Sequence, residues 1–213
     1  NVLDVPVHLP DCLSDMPPQC ITLHVGQAGI QVGNHCWQLF AQEHNISPDG
    51  NYQGTATGAD ENLRMFFQEL RDSRYTPRTV FVDLEPSVLD EIRTGPHTAL
   101  YSPNQLVSGK EDASNNYARG YSSVGKDVLE RVMDRIRLTA DQCASLQGFI
   151  LFHSYGGGTG SGFASLLLEE LKKEFSKKTQ LELGVFPSQH MSTGVTEPYN
   201  AVLATHHTQD KVD

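Results

Sequence analysis

Apolar residues along the chain are grouped in short runs, and longer stretches of mixed polarity separate these runs. Runs rich in β-branched and aromatic residues predict β-strands, because such side chains fit a pleated surface. Four runs have this character: CITLHV at 20–25, TVFVDL at 79–84, GFILFHS at 148–154 and LELGVF at 181–186. The third run is almost wholly apolar, which predicts a central strand covered on both faces.

The stretches between these strands show the 3.6-residue period of helices. The clearest apolar stripe consists of Val124, Val128, Leu129, Val132, Met133 and Ile136. A second stripe follows the first strand and consists of Ile30, Gly33, Trp37 and Phe40. Further helices are predicted at 86–95, from about 160, and at 199–207.

Strand alternating with helix predicts an α/β fold, a Rossmann-like and mostly parallel sheet with helices on both faces. Two polar segments that contain glycine, 45–60 and 101–120, are predicted to be exposed loops. A chain of 213 residues, 38% of them hydrophobic, fits one domain with one sizeable core.

Charge and composition argue against several classes of partner. The formal net charge of −10 disfavours nucleic acid and acidic membranes, because their phosphates attract Lys and Arg. No apolar run approaches the roughly 20 residues that span a bilayer, and the first residues lack the cationic start of a signal peptide. The four cysteines form no C-x-x-C pair, so structural zinc is disfavoured and reduced thiols in the cytosol are expected.

The segment HSYGGGTGSGF at 153–163 joins the most apolar predicted strand to a predicted helix. The N-terminus of a helix offers unpaired N–H groups and a partial positive charge, which suits phosphate. Glycine lets the backbone approach phosphate and adopt positive φ, and Ser154, Thr159 and Ser161 could add hydroxyl donors. In a parallel sheet the turn GQAG at 26–29 falls at the same edge as this segment. Phosphate binding is therefore favoured at this edge.

Other interpretations of the two glycine turns remain open. The longer glycine turn, GGGTGSG at 156–162, could be simply flexible. GQAG taken alone could be a tight turn of small residues. Neither common phosphate motif matches, since G-x-G-x-x-G cannot be placed in 156–163. The stretch GYSSVGKD at 120–127 resembles a P-loop but ends in Asp and follows no predicted strand.

A cation is expected beside the phosphates, because the longer glycine turn contains no Lys. Mg²⁺ prefers one or two carboxylates together with phosphate oxygens. Asp83 and Glu85 stand at the C-terminal end of VFV, in the predicted strand 79–84, and could supply them. They could equally be acidic residues that favour the dipole of the helix behind them.

With these residues identified, the chain resembles tubulin, and within that family its α class. GGGTGSG at 156–162 is the family signature, and HVGQAGIQVGNHCWQLF, VFVDLEPSVLDEIRTG, ADQCASLQGF and EPYN are similar to family segments. GKEDASNNYARG at 109–120 resembles the α class because Lys110, Glu111 and Asp112 stand where β-type chains carry small uncharged residues.

The resemblance implies a site for GTP with Mg²⁺. It implies nucleotide contacts for Gly26, Gln27, Ala28, Gln31, Asp112, Ala113, Asn115, Ser154, Gly156, Gly157, Gly158, Thr159, Gly160, Thr193 and Glu197. It also implies that Glu85, with Asp83 nearby, holds the metal ion.

The resemblance has limits along the chain. Residues 1–15 have no family counterpart, whereas 16–213 correspond to a tubulin-type GTP-binding domain that we expect to be incomplete at its C-terminus. The stretch 51–60 contains no Lys, so the acetylation site in the family's luminal loop is expected to be absent.

The function implied is that of an α-tubulin-like GTP-binding subunit of microtubules, a structural constituent of the cytoskeleton in the cytoplasm. Its implied partners are β-tubulin and the microtubule lattice, with neither nucleic acid nor membrane. Two alternatives remain open: a self-contained GTPase like the bacterial division-ring relatives, and a truncated fragment without function. In the family the acid that activates water comes from the next subunit, so enzymatic activity is left undecided.

Overall fold

A computed structural model describes residues 17–54, 61–188, 190, 192 and 194–212. Within these ranges the strands are β1 Gln19–Val25, β2 Phe67–Glu69, β3 Tyr75–Pro77, β4 Thr79–Asp83, β5 Leu106–Ser108, β6 Leu146–Ser154 and β7 Thr179–Val185. The α-helices are α1 Gly26–Glu43, α2 Glu61–Phe66, α3 Ser87–Thr94, α4 Tyr117–Ser122, α5 Val124–Asp141, α6 Ala164–Glu174 and α7 Glu197–Thr208. The predicted extension 1–15 lies outside the described residues.

Five of these strands form one parallel sheet in the order β5-β4-β1-β6-β7. β2 and β3 form a separate antiparallel pair. Along the chain, β4 and then β5 are added on one side of β1, and β6 and then β7 are added on its other side. The order of the strands therefore reverses between β1 and β6, and ligands of such sheets bind at this point, beyond the carboxyl ends of the strands.

Alternate residues of each central strand point to opposite faces of the sheet, and each face has its own core. On one face, Val80 and Val82 of β4 pack with Val132 of α5 and Leu167 of α6. On the other face, Phe81 packs in the cluster formed by α1, α2 and α3. The predicted α/β fold with helices on both faces is confirmed.

The prediction of a loop at 101–120 was wrong in part, because this segment contains the strand β5 and the start of the helix α4. Periodicity in the sequence did not show either element. β5 has only three residues and is held by parallel pairing with β4. α4 begins after Asn116, whose side chain accepts a hydrogen bond from the Ala118 N–H at 2.9 Å. Elements this short depend on a long-range partner or a single cap, and neither produces a period in the sequence.

The predicted exposed loop at 45–60 is packed against the protein in its described part. Ile46 is buried, and isolated bridges join Ile46 to Tyr52 and Asn51 to Arg74. Gly50 has φ +83°, and its carbonyl accepts from the Tyr75 N–H at 2.7 Å. Of the stretch 51–60, where the absence of Lys was noted, residues 55–60 lie outside the described residues.

Candidate functional site

A cavity of about 610 Å³ opens at the carboxyl edge of the sheet, where the strand order reverses. The segments that follow β1, β4, β6 and β7 form its walls, together with the start of α7. Its lining is Val25, Gly26, Gln27, Ala28, Asp83, Glu85, Asp112, Asn115, Ser154, Gly156, Gly157, Gly158, Thr159, Gly160, Val185, Phe186, Pro187, Ser188, Ser192 and Glu197.

Two helical N-termini meet at this cavity. α1 begins at Gly26 directly after β1, and a π-helical turn at Thr159–Phe163 follows β6 and continues into α6. Neither first turn contains an acidic residue. The first N–H groups of a helix have no partner within the helix and carry partial positive charge, so the two ends together favour an anion.

The glycines of the longer turn serve close packing, and the expectation of positive φ among them was wrong. Within the described chain the only glycines with positive φ are Gly26 and Gly50. A Cβ on Gly158 would lie 2.7 Å from the Asn116 nitrogen, and one on Gly160 would overlap the Ser154 carbonyl oxygen. By contrast, a Cβ on Gly157 would meet no atom within 4 Å. Gly157 is therefore the glycine whose open side is free for a ligand.

The loop before α4 packs against the longer glycine turn at Gly158 and contributes Asp112 and Asn115 to the cavity wall. Ser114 and Asn115 both have positive φ, at 51° and 50°, so the loop turns sharply. Arg119 on α4 holds the loop from outside, because its Nη2 donates to the Asp112 carbonyl at 3.2 Å and lies 3.4 Å from a Glu111 oxygen. These contacts keep Asp112 and Asn115 at the cavity.

Asn200 on α7 ties this loop to the longer glycine turn. Its Nδ2 donates to the carbonyls of Asn115 at 2.9 Å and Gly156 at 2.8 Å, and its Oδ1 accepts from the Tyr117 N–H at 3.1 Å. The side chain is buried, and its bonds to Tyr117 and Gly156 are shielded from water. Sequence reasoning missed Asn200, because its partners lie more than 40 positions away along the chain.

Two carboxylates mark the end of β4. Burial raises the pKa of Asp83 to about 6, against the lowering effect of hydrogen bonds from the Leu84 N–H and the Thr159 hydroxyl. Glu85 accepts a hydrogen bond from the Ser87 hydroxyl at 2.8 Å. A desolvated carboxylate beside a second one is a donor set that fits Mg²⁺ with phosphate oxygens. Among the described residues no cluster of three or more His, Cys, Asp or Glu side chains is placed to hold a metal ion.

Glu197 at the start of α7 lines the cavity and is bound to two residues that precede the helix. Its Oε2 accepts from the Ser192 hydroxyl, and its Oε1 accepts from the Gly194 N–H at 3.2 Å. Both carboxylate oxygens are therefore engaged within the protein. The hydroxyl of Ser161 is also used internally, because it donates to the Gly157 carbonyl at 2.5 Å.

Most of the predicted nucleotide residues come together here, and both predicted metal ligands do. Those that line the cavity are Gly26, Gln27, Ala28, Asp83, Glu85, Asp112, Asn115, Ser154, Gly156, Gly157, Gly158, Thr159, Gly160 and Glu197. Gln31 is exposed on α1, and Ala113 is buried against Gly158, so neither belongs to the lining. Thr193 lies outside the described residues. The lining also includes Phe186 and Ser188, which no motif indicated.

Comparison with protein families gives a match along almost the whole chain. Residues 19–213 match the Tubulin/FtsZ family, GTPase domain. Over the part that the structure describes, no helix combines the length and the apolar character needed to cross a membrane.

Proposed function

The chain belongs to the Tubulin/FtsZ family and is a guanine-nucleotide-binding domain of that superfamily, and from this premise we propose that it is an α-tubulin-like subunit of microtubules. In this proposal β-tubulin and the microtubule lattice are its partners, and it is part of the cytoskeleton in the cytoplasm. Lys110, Glu111 and Asp112 favour the α class.

The nucleotide phosphates are proposed to lie between the two helical N-termini. The open side of Gly157 and the first N–H groups after Gly26 are the features that suit them. Asp112, Asn115, Ser154 and Glu197 would contact the remaining phosphate and sugar groups. In the described lining Asp83, Glu85, Asp112 and Glu197 are the charged residues, and all four are acidic. A polyphosphate therefore needs a cation to bind here.

Asp83 and Glu85 are proposed to hold that cation, which would neutralise phosphate charge when bound. We expect Glu85→Gln to weaken Mg²⁺-dependent GTP binding, measured by calorimetric titration of GTP at several Mg²⁺ concentrations. Asp90→Asn is the control, because Asp90 pairs with Arg93 at 2.7 Å on the exposed side of α3. An equal and small effect of both variants would favour a helix-dipole role for Glu85.

The observation that carries the subunit role is an exposed apolar surface beside the cavity. The exposed fractions are 57% for Phe186, 86% for Val195, 70% for Tyr199 and 70% for Val202. Phe186 lines the cavity itself, and the other three lie just before and within α7. Exposed apolar residues grouped in this way are typical of a surface that binds another protein. A nucleotide held here would lie at a subunit contact.

Co-assembly with β-tubulin tests this role. We expect Tyr199→Lys and Val202→Lys to abolish the heterodimer in sedimentation experiments, since each places a charge in the apolar surface. Leu138→Lys is the matched control: Leu138 is 50% exposed, but on α5 near the opposite edge of the sheet. Normal assembly of the α7 variants, or equal loss in the control, would contradict the proposal.

A further inference from the structure

The buried ring of His153 lies between the longer glycine turn and β7. Its Nδ1 is 2.6 Å from the Gly160 carbonyl oxygen, and its Nε2 is 2.6 Å from Oε1 of Glu182. The same Oε1 accepts from the Tyr155 hydroxyl at 2.7 Å. The His153 side chain is fully shielded from solvent and that of Glu182 nearly so. This cluster lies behind the cavity and has no part in its lining.

These contacts determine how many protons the cluster holds. A carbonyl oxygen can only accept, so Nδ1 must carry a proton that it donates to Gly160. The contact between Nε2 and Oε1 also needs a proton, because two lone pairs at this distance repel each other. Imidazole and carboxyl group together thus hold two protons, one more than a neutral imidazole beside an ionised carboxylate. The pair as a whole is neutral.

The position of that second proton follows from the surroundings of Glu182. Burial acts to raise the pKa of Glu182, but hydrogen bonds from His153 and Tyr155 outweigh it and the pKa lies below its usual value. The carboxyl group is therefore ionised, and His153 is the imidazolium. Hydrogen bonds between ionised partners are shorter and stronger than neutral ones.

The imidazolium acts on the backbone of the glycine turn. Gly160 lies within the π-helical turn, where helical hydrogen bonds are widened. A side chain that bonds to a helical carbonyl is a known cause of such a break in the regular ladder. His153 thereby fixes the peptide between Gly160 and Ser161. Thr159 and Gly160 both line the cavity.

We propose that His153 is a positioning residue for the nucleotide: as an imidazolium paired with Glu182, it holds the Gly160 carbonyl and so shapes the phosphate-facing turn. This inference rests on the proposed location of the phosphates.

Few other polar groups face this pair in the described structure. Tyr155 is the second neighbour of Glu182, and burial is the main cause that raises the pKa of Tyr155 to about 12. α7 contributes the hydroxyl of Thr208, which lies 3.5 Å from the Tyr155 hydroxyl. On the other side α1 presents Ala28, Gly29 and Val32, which carry no charge. Among these neighbours Glu182 is the charged group that faces His153.

A pair of variants separates the two hydrogen bonds of His153. The amide nitrogen of Asn overlies Nδ1 of His, and that of Gln overlies Nε2. His153→Asn therefore keeps the donor to Gly160, whereas His153→Gln keeps only the contact with Glu182. We expect His153→Gln to bind Mg-GTP about tenfold more weakly than His153→Asn. Equal affinities, after correction for thermal stability, would show that the bond to Gly160 has no positioning role.

A spectroscopic measurement decides the proton count even if these variants fold poorly. In ¹⁵N-labelled wild type at neutral pH, both ring nitrogens of His153 are expected to have the chemical shifts of protonated nitrogen. One bare nitrogen would overturn the inference. If wild type fails to bind Mg-GTP while both nitrogens are protonated, the proposed function fails and the state of His153 stands.

Discussion

His24 and His153 lie on the adjacent strands β1 and β6, each shortly before a glycine turn, and the protein holds the two buried rings in opposite ways. Nε2 of His24 accepts from the Trp37 indole N–H at 3.2 Å, and the ring stacks between Phe81 and Phe152. Burial lowers its pKa to about 3, against the opposite effect of the Gly29 backbone. His24 is therefore neutral and is packed between aromatic rings. By contrast, both nitrogens of His153 face acceptors.

The glycines that follow β1 and those that follow β6 make room for different neighbours. On α1 a Cβ at Gly33 would overlap the ring of His24, and one at Gly29 would overlap the Phe152 carbonyl oxygen. These glycines let α1 pack closely against the sheet. In the turn after β6, Gly158 and Gly160 instead bring two loops and the strand end together. A dense glycine motif at a binding site can therefore be a packing device as much as a ligand contact.

Gly158→Val is expected to have the largest effect on this arrangement. Its Cβ would strike the Asn116 nitrogen at 2.7 Å and the Ala113 Cβ at 2.8 Å, and neither backbone nor core can move cheaply. We expect a loss of about 3 kcal/mol in the free energy of unfolding, together with loss of bound GTP. Urea unfolding and nucleotide analysis of the purified protein measure both. Normal GTP content would contradict the role of this turn.

The neutral state of His24 predicts a loss of stability in acid. Its pKa is about 3 in the folded protein and 6.5 unfolded, so the unfolded chain binds more protons between these values. The contribution of neutral His24 to the free energy of unfolding is complete above pH 6.5 and falls as pH decreases toward 3. At pH 5 the loss is about 2 kcal/mol. Fluorescence of Trp37, the only tryptophan, reports unfolding next to the ring.

The control for this acid loss is an exposed histidine on α1. His35 lies on the surface of that helix, and His35→Gln makes the same substitution away from the buried ring. His24→Gln keeps an acceptor for Trp37 but cannot be protonated, so its stability should vary less with pH than that of wild type. If His24→Gln shows the full acid loss, another buried group must cause it.

Gly26→Ala tests the one cavity glycine with positive φ. The residue has φ +72°, which costs an alanine about 1–2 kcal/mol, and its Cβ would lie 3.1 Å from the Gly160 nitrogen. Gly50→Ala is the matched control, since Gly50 has φ +83° but lies in the loop beyond the far end of α1. Urea unfolding should show a loss in both variants, whereas GTP affinity should fall only for Gly26→Ala. Equal affinities would mean that the first turn does not approach the nucleotide.

The sheet and the edge that carries the site could be predicted from the sequence because they depend on local patterns. Strand runs, helix stripes and glycine turns each leave a signal within about ten residues. The role of each glycine could not be predicted, since it depends on which backbone segment folds against it. Gly158 meets Asn116 and Gly33 meets His24, and nothing near either glycine in the sequence indicates that neighbour. Asn200 was missed for the same reason.

The smallest effect is expected from Gly157→Ala, a substitution at the residue directly before Gly158. Its φ is not positive and its Cβ would meet no protein atom within 4 Å, so alanine introduces neither strain nor overlap. Because alanine restricts the unfolded chain more than glycine does, stability in urea should rise by about 0.5 kcal/mol.

The same methyl group would occupy space on the cavity side of the turn, where phosphate is proposed to lie. We therefore expect GTP affinity to fall severalfold while stability rises, opposite signs that no general folding defect produces. Gly158→Val should lower both quantities together. If affinity is unchanged in Gly157→Ala, the phosphates do not use the open side of this turn, and its glycines serve packing alone.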